Sequence, residues 1–168
     1  LGDEASIAAA AARCGADGPL HLVVVATGVL HDGAALQPEK SWRALTAPSL
    51  AESFAVNAIG PALLAKHFLP RLATGGKAVF AALSARVGSI EDNRLGGWYS
   101  YRASKAALHM LLRTLAIELA RRNPTALCVA LHPGTVDTAL SRPFQTGVPD
   151  GRLFTPRQSA EHLLHVID

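Results

Sequence analysis

Three short apolar runs alternate along this chain with longer stretches of helical periodicity. They are L-H-L-V-V-V-A at 20–26, K-A-V-F-A-A-L at 77–83 and T-A-L-C-V-A-L at 125–131. Runs of this length, rich in Val and Ala and bounded by turn residues, predict strands buried on both faces. An Ala-rich helix precedes the first run, with Asp3 as N-cap and Gly15 stopping it after Cys14. Residues 27–47 read as loop, with turn signals at His31-Asp32-Gly33 and Gln37-Pro38. Ser49 and Glu52 have the spacing of a capping box and open a helix to about Phe68, closed by Pro70 and Gly75-Gly76. A long helix runs from near Tyr99 to Arg122 and ends at Asn123-Pro124. The Pro- and Gly-rich stretch from His132 to Phe154 reads as loop. Thr155-Pro156-Arg157-Gln158 is a second capping box, with Pro at the first helical position.

Buried strands alternating with helices make an α/β fold, a parallel sheet covered on both sides. We find no repeats and no second domain, so residues 1–168 read as a single Rossmann-like domain. Three strands are few for such a sheet, and an apolar edge strand such as V-V-V-A invites pairing. The first residue is Leu1 and the last, Asp168, falls inside an apolar helical pattern. The expectation is a doubly wound sheet lacking its N-terminal strands and its last strand, cut from a longer parent, or one whose edge a partner covers.

Composition narrows the function classes. Nearly half of the residues are apolar and 17% are charged, which suits a globular domain. A net charge of +3 with scattered basic residues offers no stripe for nucleic acid. Arg121-Arg122 reads as a favourable pair at a helix C-terminus. No apolar run is long enough to span a bilayer, and no signal-peptide pattern opens the chain. Cys14 and Cys128 form no C-x-x-C and read as two buried thiols of a reducing compartment, so the expected location is cytoplasmic. No His, Cys or acid cluster has metal spacing: His132 reads as packing at a strand end, His162 and His165 as surface. No G-x-S-x-G elbow supports a hydrolase.

Candidate chemistry concentrates between Ser84 and Lys105. Tyr101 and Lys105 are four residues apart, one helical turn, so they share a face. A phenol titrates near ~10. A cation at ~4 Å with an effective dielectric of ~20 stabilises the phenolate by roughly 4 kcal/mol, enough to move it toward working pH. Taken alone, Y-x-x-x-K fits a plain helix-surface pair equally well. Ligands of open parallel sheets sit beyond the carboxyl ends of the strands. Here those ends run into Ala26-Thr27-Gly28, into Ser84, and into His132-Pro133-Gly134-Thr135-Val136-Asp137-Thr138.

Taken together, Y-R-A-S-K-A-A-L after a strand-end Ser, S-A-R-V-G-S-I and P-G-T-V-D-T make the chain resemble the short-chain dehydrogenase/reductase family. The resemblance covers essentially the whole chain, and the segments look like the carbonyl-reductase-like branch that includes C-factor and sniffer. It implies Tyr101 as general acid/base, and Lys105 as the lysine that lowers the phenol's pKa and holds the nicotinamide ribose. Asn57 matches the helix Asn of a proton relay. Pro61, four residues on, lacks an N–H, which frees the Asn57 carbonyl at a kink to hold a water; the plainer alternative is a proline kink with a solvated Asn. Ser84 matches the substrate-binding serine. The family usually has a second serine there, but this chain has Ala85, so Ser89 is the reserve. A hydroxyl capping the strand end is the alternative for Ser84. Pro133, Gly134, Val136 and Thr138 match the carboxamide-contacting segment, against the alternative of an ordinary loop. Thr27 and Gly28 match the stretch under the adenosine ribose, although the family prefers N-A-G there.

The function implied is NAD(P)H-dependent interconversion of a carbonyl and an alcohol. The resemblance favours NADP(H) over NAD(H), a small aldehyde or ketone as substrate, and a homodimer or homotetramer built through the helices at 49–69 and 99–122. Residues 139–154 would be the substrate lid, and Trp98 would pack beside the site or contact substrate. The family's Gly-rich phosphate turn between the first strand and the first helix has no counterpart here, and Gly75-Gly76 lies after a helix and before a strand. A truncated, non-catalytic binding or assembly module is therefore the alternative.

Overall fold

The computed structural model of the protein describes residues 2–33 and 35–168; Leu1 and Ala34 lie outside the described residues. The chain folds as α1 (Glu4–Cys14), β1 (Leu22–Val25), α2 (Ala47–Phe54), α3 (Gly60–Phe68), β2 (Ala78–Leu83), α4 (Tyr99–Arg122), β3 (Ala126–Leu131), β4 (Thr135–Val136), β5 (Leu153–Phe154) and α5 (Pro156–Ile167). The three apolar runs pair in the order β1-β2-β3, all parallel, with Leu22 opposite Val79 and Phe80 opposite Cys128. The carboxyl ends of all three therefore open on the same edge of the sheet.

Several terminators act as the residues dictate. Asp3 accepts from the N–H groups of Ala5 and Ser6, and the Gly15 N–H reaches back to the Ala11 carbonyl. Thr155 and Gln158 form the reciprocal box that starts α5. The box at Ser49 and Glu52 does not form. Thr46 is the N-cap instead, accepting from the Ser49 N–H at 3.2 Å, because Pro48 is already helical and needs no donor. The expected kink is present as a wide turn over Ala55–Ile59, between α2 and α3. Pro61 cannot donate to the Asn57 carbonyl, and the widened turn absorbs the missing bond.

One face of the sheet is covered by α1, α3 and α4, whose Ile7, Ala11, Ala65, Phe68, Leu108 and Leu112 enclose Phe80 and Ala82. The other face is covered, among the described residues, by α5, through Leu163 and Ile167 against Val79, Ala81 and Leu131. Helices on both faces make the sheet doubly wound. Burial on both faces nevertheless holds only for β2. Leu22 and Val24 of β1 are 41% and 47% exposed and Leu127 of β3 is 48% exposed, on the same face as Val79 and Ala81 but outside the cluster that α5 covers.

Two further expectations are corrected. The stretch from His132 to Phe154 is not loop throughout. β4 and β5 pair in parallel within it, Thr135 opposite Leu153, and a helical turn spans Arg142–Gly147. Cys14 is exposed, not buried: it is in line with Ile7 and Ala11 but is the last residue of α1, where the buried stripe has ended; Cys128 is half-buried and burial pushes its thiol up to about 11. Among the described residues no helix is long and apolar enough to cross a membrane.

Candidate active site

A cavity of about 590 Å³ opens at the carboxyl ends of the three strands. Its walls include Ala26 and Gly28 after β1, Ser84 after β2, Tyr101 of α4, and Pro133, Gly134, Val136 and Thr138 after β3. All of these but Ala26 are predicted site residues, and Lys105 lies directly behind Gly28. Asn57 stands behind the wall as well. A β-carbon added at Gly28 would lie 3.6 Å from Lys105 Nζ and 3.5 Å from Asn57 Oδ1. Thr27 is exposed and does not line the cavity. Ser89 is also outside it; its hydroxyl caps a turn by accepting from the Asp92 N–H at 3.3 Å.

Tyr101 and Lys105 lie on the same side of α4, with Lys105 Nζ 5.8 Å from the centre of the phenol ring. The electrostatic effect on the phenol differs from the sequence-based expectation. Lys105 is 3% exposed and donates at 3.0 Å to the Leu83 carbonyl, so its ammonium is held at the end of β2. Burial lowers the Lys105 pKa from 10.5 to about 8. Burial likewise raises that of Tyr101, so the net shift of the phenol is upward with the cation beside it.

Asn57 is not solvated: it is completely buried. Its Oδ1 accepts from the Val29 N–H at 2.8 Å and its Nδ2 donates to the Val29 carbonyl at 2.8 Å. The same amide donates to Ser104 Oγ at 3.1 Å, and Ser104 donates to the Tyr101 carbonyl at 2.9 Å. One side chain therefore ties the segment after β1 to the first turns of α4. Ser84 is buried, and its Oγ lies 2.6 Å from Nε2 of His109, two turns beyond Tyr101.

Sequence reasoning missed four residues here. His109 and Ser104 lie on the Tyr101 helix at spacings that could have flagged them, +8 and +3. Glu39 had no local signal, since its partners are 61 residues away. It is 5% exposed, accepts at 3.1 Å from the Ser100 N–H and from the Ser100 hydroxyl, and its carbonyl accepts from the Trp98 N–H at 2.6 Å. A carboxylate thus sits at the N-terminus of α4, where the helix dipole favours it. Ser159 anchors α5 under the site by donating to the Pro133 carbonyl at 2.8 Å.

Three consecutive residues, Gly96, Gly97 and Trp98, have φ of +64°, +66° and +53°. For Trp this conformation is strained. It aims the indole between the Tyr101 ring, 6.3 Å away, and the Phe144 ring, 4.9 Å away, with His31 edge-on to Phe144 at 5.7 Å. The cavity walls carry no Asp, Glu, Lys or Arg among the described residues, and no three potential metal ligands cluster among them either. A buried phenol, a serine hydroxyl and an ammonium behind a close-approaching glycine can move a proton to or from an uncharged ligand oxygen.

The family model described as enoyl-(acyl carrier protein) reductase matches residues 1–163. The chain is 39% identical over 119 residues to the C-signal protein of Myxococcus xanthus, covering 71% of this chain and 66% of that one. Among solved structures it is similar to the NADPH-bound carbonyl reductase from chicken fatty liver, with 31% identity and a TM-score of 0.80 over 99% of this chain and 63% of that one. The carbonyl reductase Sniffer of D. melanogaster shares the fold, with 23% identity and a TM-score of 0.81 over 99% of this chain and 66% of that one. The chain thus spans just under two thirds of the length of these relatives.

Proposed function

Because the chain belongs to the short-chain dehydrogenase/reductase family, we propose that it works in an NAD(P)H-dependent oxidoreductase in which Tyr101 exchanges a proton with the oxygen of an uncharged aldehyde, ketone or alcohol. A single observation carries this reading: the Tyr101 phenol and the Ser84 hydroxyl line one cavity at the carboxyl ends of β1, β2 and β3, with the Lys105 ammonium behind it.

Burial keeps Tyr101 protonated at neutral pH, the state needed to donate to a carbonyl oxygen. A unit charge ~6 Å from the developing phenolate, at an effective dielectric of ~20, contributes roughly 3 kcal/mol to its stability. Lys105 is suited to that part because, among the described residues, one of its three N–H donors has a partner, the Leu83 carbonyl. The other two are available to hydroxyl groups of a ribose. Asn57 and Ser104 hold the Tyr101 turn and the Gly28 segment in register. Trp98 and Phe144 present apolar ring faces to the substrate, and the described walls, which carry no Asp, Glu, Lys or Arg, suit an uncharged reacting end.

A nicotinamide cofactor, when bound, supplies the hydride that turns carbonyl into alcohol. The residues present fit its nicotinamide and ribose end: Gly28 leaves room for close backbone approach, and Lys105, Tyr101, Pro133, Gly134, Val136 and Thr138 surround the space. NADPH is favoured as donor, in keeping with the ligand named for the chicken relative. Pairing of two or more copies through α2–α3 and α4 is supported by the exposure of Ile59, Met110 and Ile117 along them. The free thiols of Cys14 and Cys128 suit a reducing cytoplasm.

Tyr101→Phe is expected to lower NADPH-dependent carbonyl turnover by about 10²-fold or more while circular dichroism stays unchanged. Unchanged turnover in that variant would remove Tyr101 from the mechanism. A second reading, a non-catalytic binding module, is favoured by one fact: the connection from β1 to α2, the first from strand to helix among the described residues, carries no Gly-rich turn to seat a diphosphate. Titration with NADPH and NADH, followed by Trp98 fluorescence, separates the two; saturable quenching supports the oxidoreductase.

A further inference from the structure

His109 is half-buried on α4, and its Nε2 lies 2.6 Å from Ser84 Oγ. The ring is pressed against the helical turn at Arg86–Gly88. A β-carbon at Gly88 would lie 2.8 Å from His109 Cε1 and 2.9 Å from the Lys105 carbonyl carbon, so only glycine allows this approach. The Gly88 backbone acts on the imidazole in the sense that favours its protonated form, against burial and the Lys105 charge. Nε2 faces Ser84, so of the two neutral tautomers the one protonated at Nδ1 leaves Nε2 an acceptor for the Ser84 hydroxyl. Neutral His109 then has a lone pair at Nε2, and the Ser84 hydroxyl donates to it.

We propose that His109 is a positioning residue that decides which end of the Ser84 hydroxyl the ligand oxygen meets, a lone pair or a proton. With His109 neutral, Ser84 offers the cavity only lone pairs, so it receives the O–H of an alcohol and does not polarise a carbonyl. When His109 takes up a proton from solvent, Nε2–H donates to Ser84 Oγ. The hydroxyl proton is then released toward the cavity, where it donates to a carbonyl oxygen beside Tyr101. The charged groups around the ring are few. Lys105 precedes it by one turn on α4, and its charge and burial both hold His109 toward the neutral form. Arg86, on the turn, is paired with Asp92 at 2.7 Å. His132, at the end of β3, is acted on by the Ser84 backbone and by Arg86. The Ser84 pair thus favours alcohol binding at neutral pH and carbonyl binding in acid.

This rests on the oxidoreductase reading for its kinetic consequence but not for its first test. Long-range ¹H–¹⁵N correlation spectra of the full chain at pH 8, with His109 assigned through His109→Gln, are expected to show the Nδ1–H tautomer, and its Nε2 resonance is expected to move in Ser84→Ala. An Nε2–H tautomer overturns the proposal whether or not the protein turns over any substrate. The kinetic test compares Ser84→Ala with wild type in carbonyl reduction at pH 8 and pH 5.5. The penalty of the substitution is expected to grow about fivefold in acid, the worth of one neutral hydrogen bond, and that growth is expected to vanish when His109→Gln is the background. A penalty equal at both pH values in wild type also overturns it. Absence of any turnover, with the Nδ1–H tautomer found, refutes the oxidoreductase reading and leaves the Ser84–His109 arrangement supported.

Discussion

Replacing Lys105 by methionine tests whether the buried ammonium is held for function at the expense of stability. The side chain is 3% exposed and its pKa falls from 10.5 to about 8. At ~1.4 kcal/mol per pKa unit, that drop corresponds to a cost of about 3 kcal/mol for keeping the group charged in the fold. The charged hydrogen bond to the Leu83 carbonyl at 3.0 Å returns about 1.5–3 kcal/mol. Methionine has similar volume, removes the cost and loses the bond, so Lys105→Met is expected to be more stable by about 1 kcal/mol at pH 7. The pH dependence carries a definite sign. Between pH 8 and 10.5 the unfolded chain still holds the lysine proton while the folded chain has released it, so wild-type stability rises with pH through that window. Urea unfolding at pH 7 and pH 9.5 is the assay. The variant is expected to be the more stable at pH 7 and to lose that advantage by pH 9.5, with carbonyl turnover abolished at both. A variant less stable at pH 7, or a difference that does not change with pH, would refute the reasoning.

Asn57→Ala removes three hydrogen bonds from a fully buried amide, two of them to Val29 and one to Ser104. It is expected to cost about 2–4 kcal/mol in urea unfolding, and a loss under about 1 kcal/mol would show that Asn57 does not clamp the segment after β1. Gly134→Ala places a β-carbon 2.6 Å from the Phe154 ring at a backbone φ of +76°. It is expected to open the β4–β5 pair, read as faster hydrogen exchange at Asp137, whose N–H is bonded to the Phe154 carbonyl at 2.8 Å; exchange as slow as in wild type would contradict this.

Much of the architecture was legible because it depends on local chemistry. Apolar runs at 20–26, 77–83 and 125–131 can only be satisfied in a covered sheet, and the caps at Asp3 and Thr155 act within three residues of themselves. The helix from Tyr99 to Arg122 and the one-turn spacing of Tyr101 and Lys105 follow from helical geometry alone. The misplaced start of α2 has the same origin: Thr46 and Ser49 both offer a capping hydroxyl, and only Pro48 decides between them. The short pair β4–β5 had too few residues for any periodicity to show.

Sequence by itself thus determined the layer order, the parallel sheet and the gathering of Ser84, Tyr101 and the Pro133–Thr138 segment at one edge. Tertiary structure alone decided the electrostatics and the hydrogen-bond polarity of that edge. Whether a lysine lowers the phenol's pKa or loses its own charge more readily depends on how much water both keep, and burial removes water from both. Whether Ser84 donates to a ligand depends on His109, twenty-five residues away in the chain and 2.6 Å away in space. Solvent exclusion and contacts between distant segments are properties of the packed molecule, and no local pattern of residues encodes them.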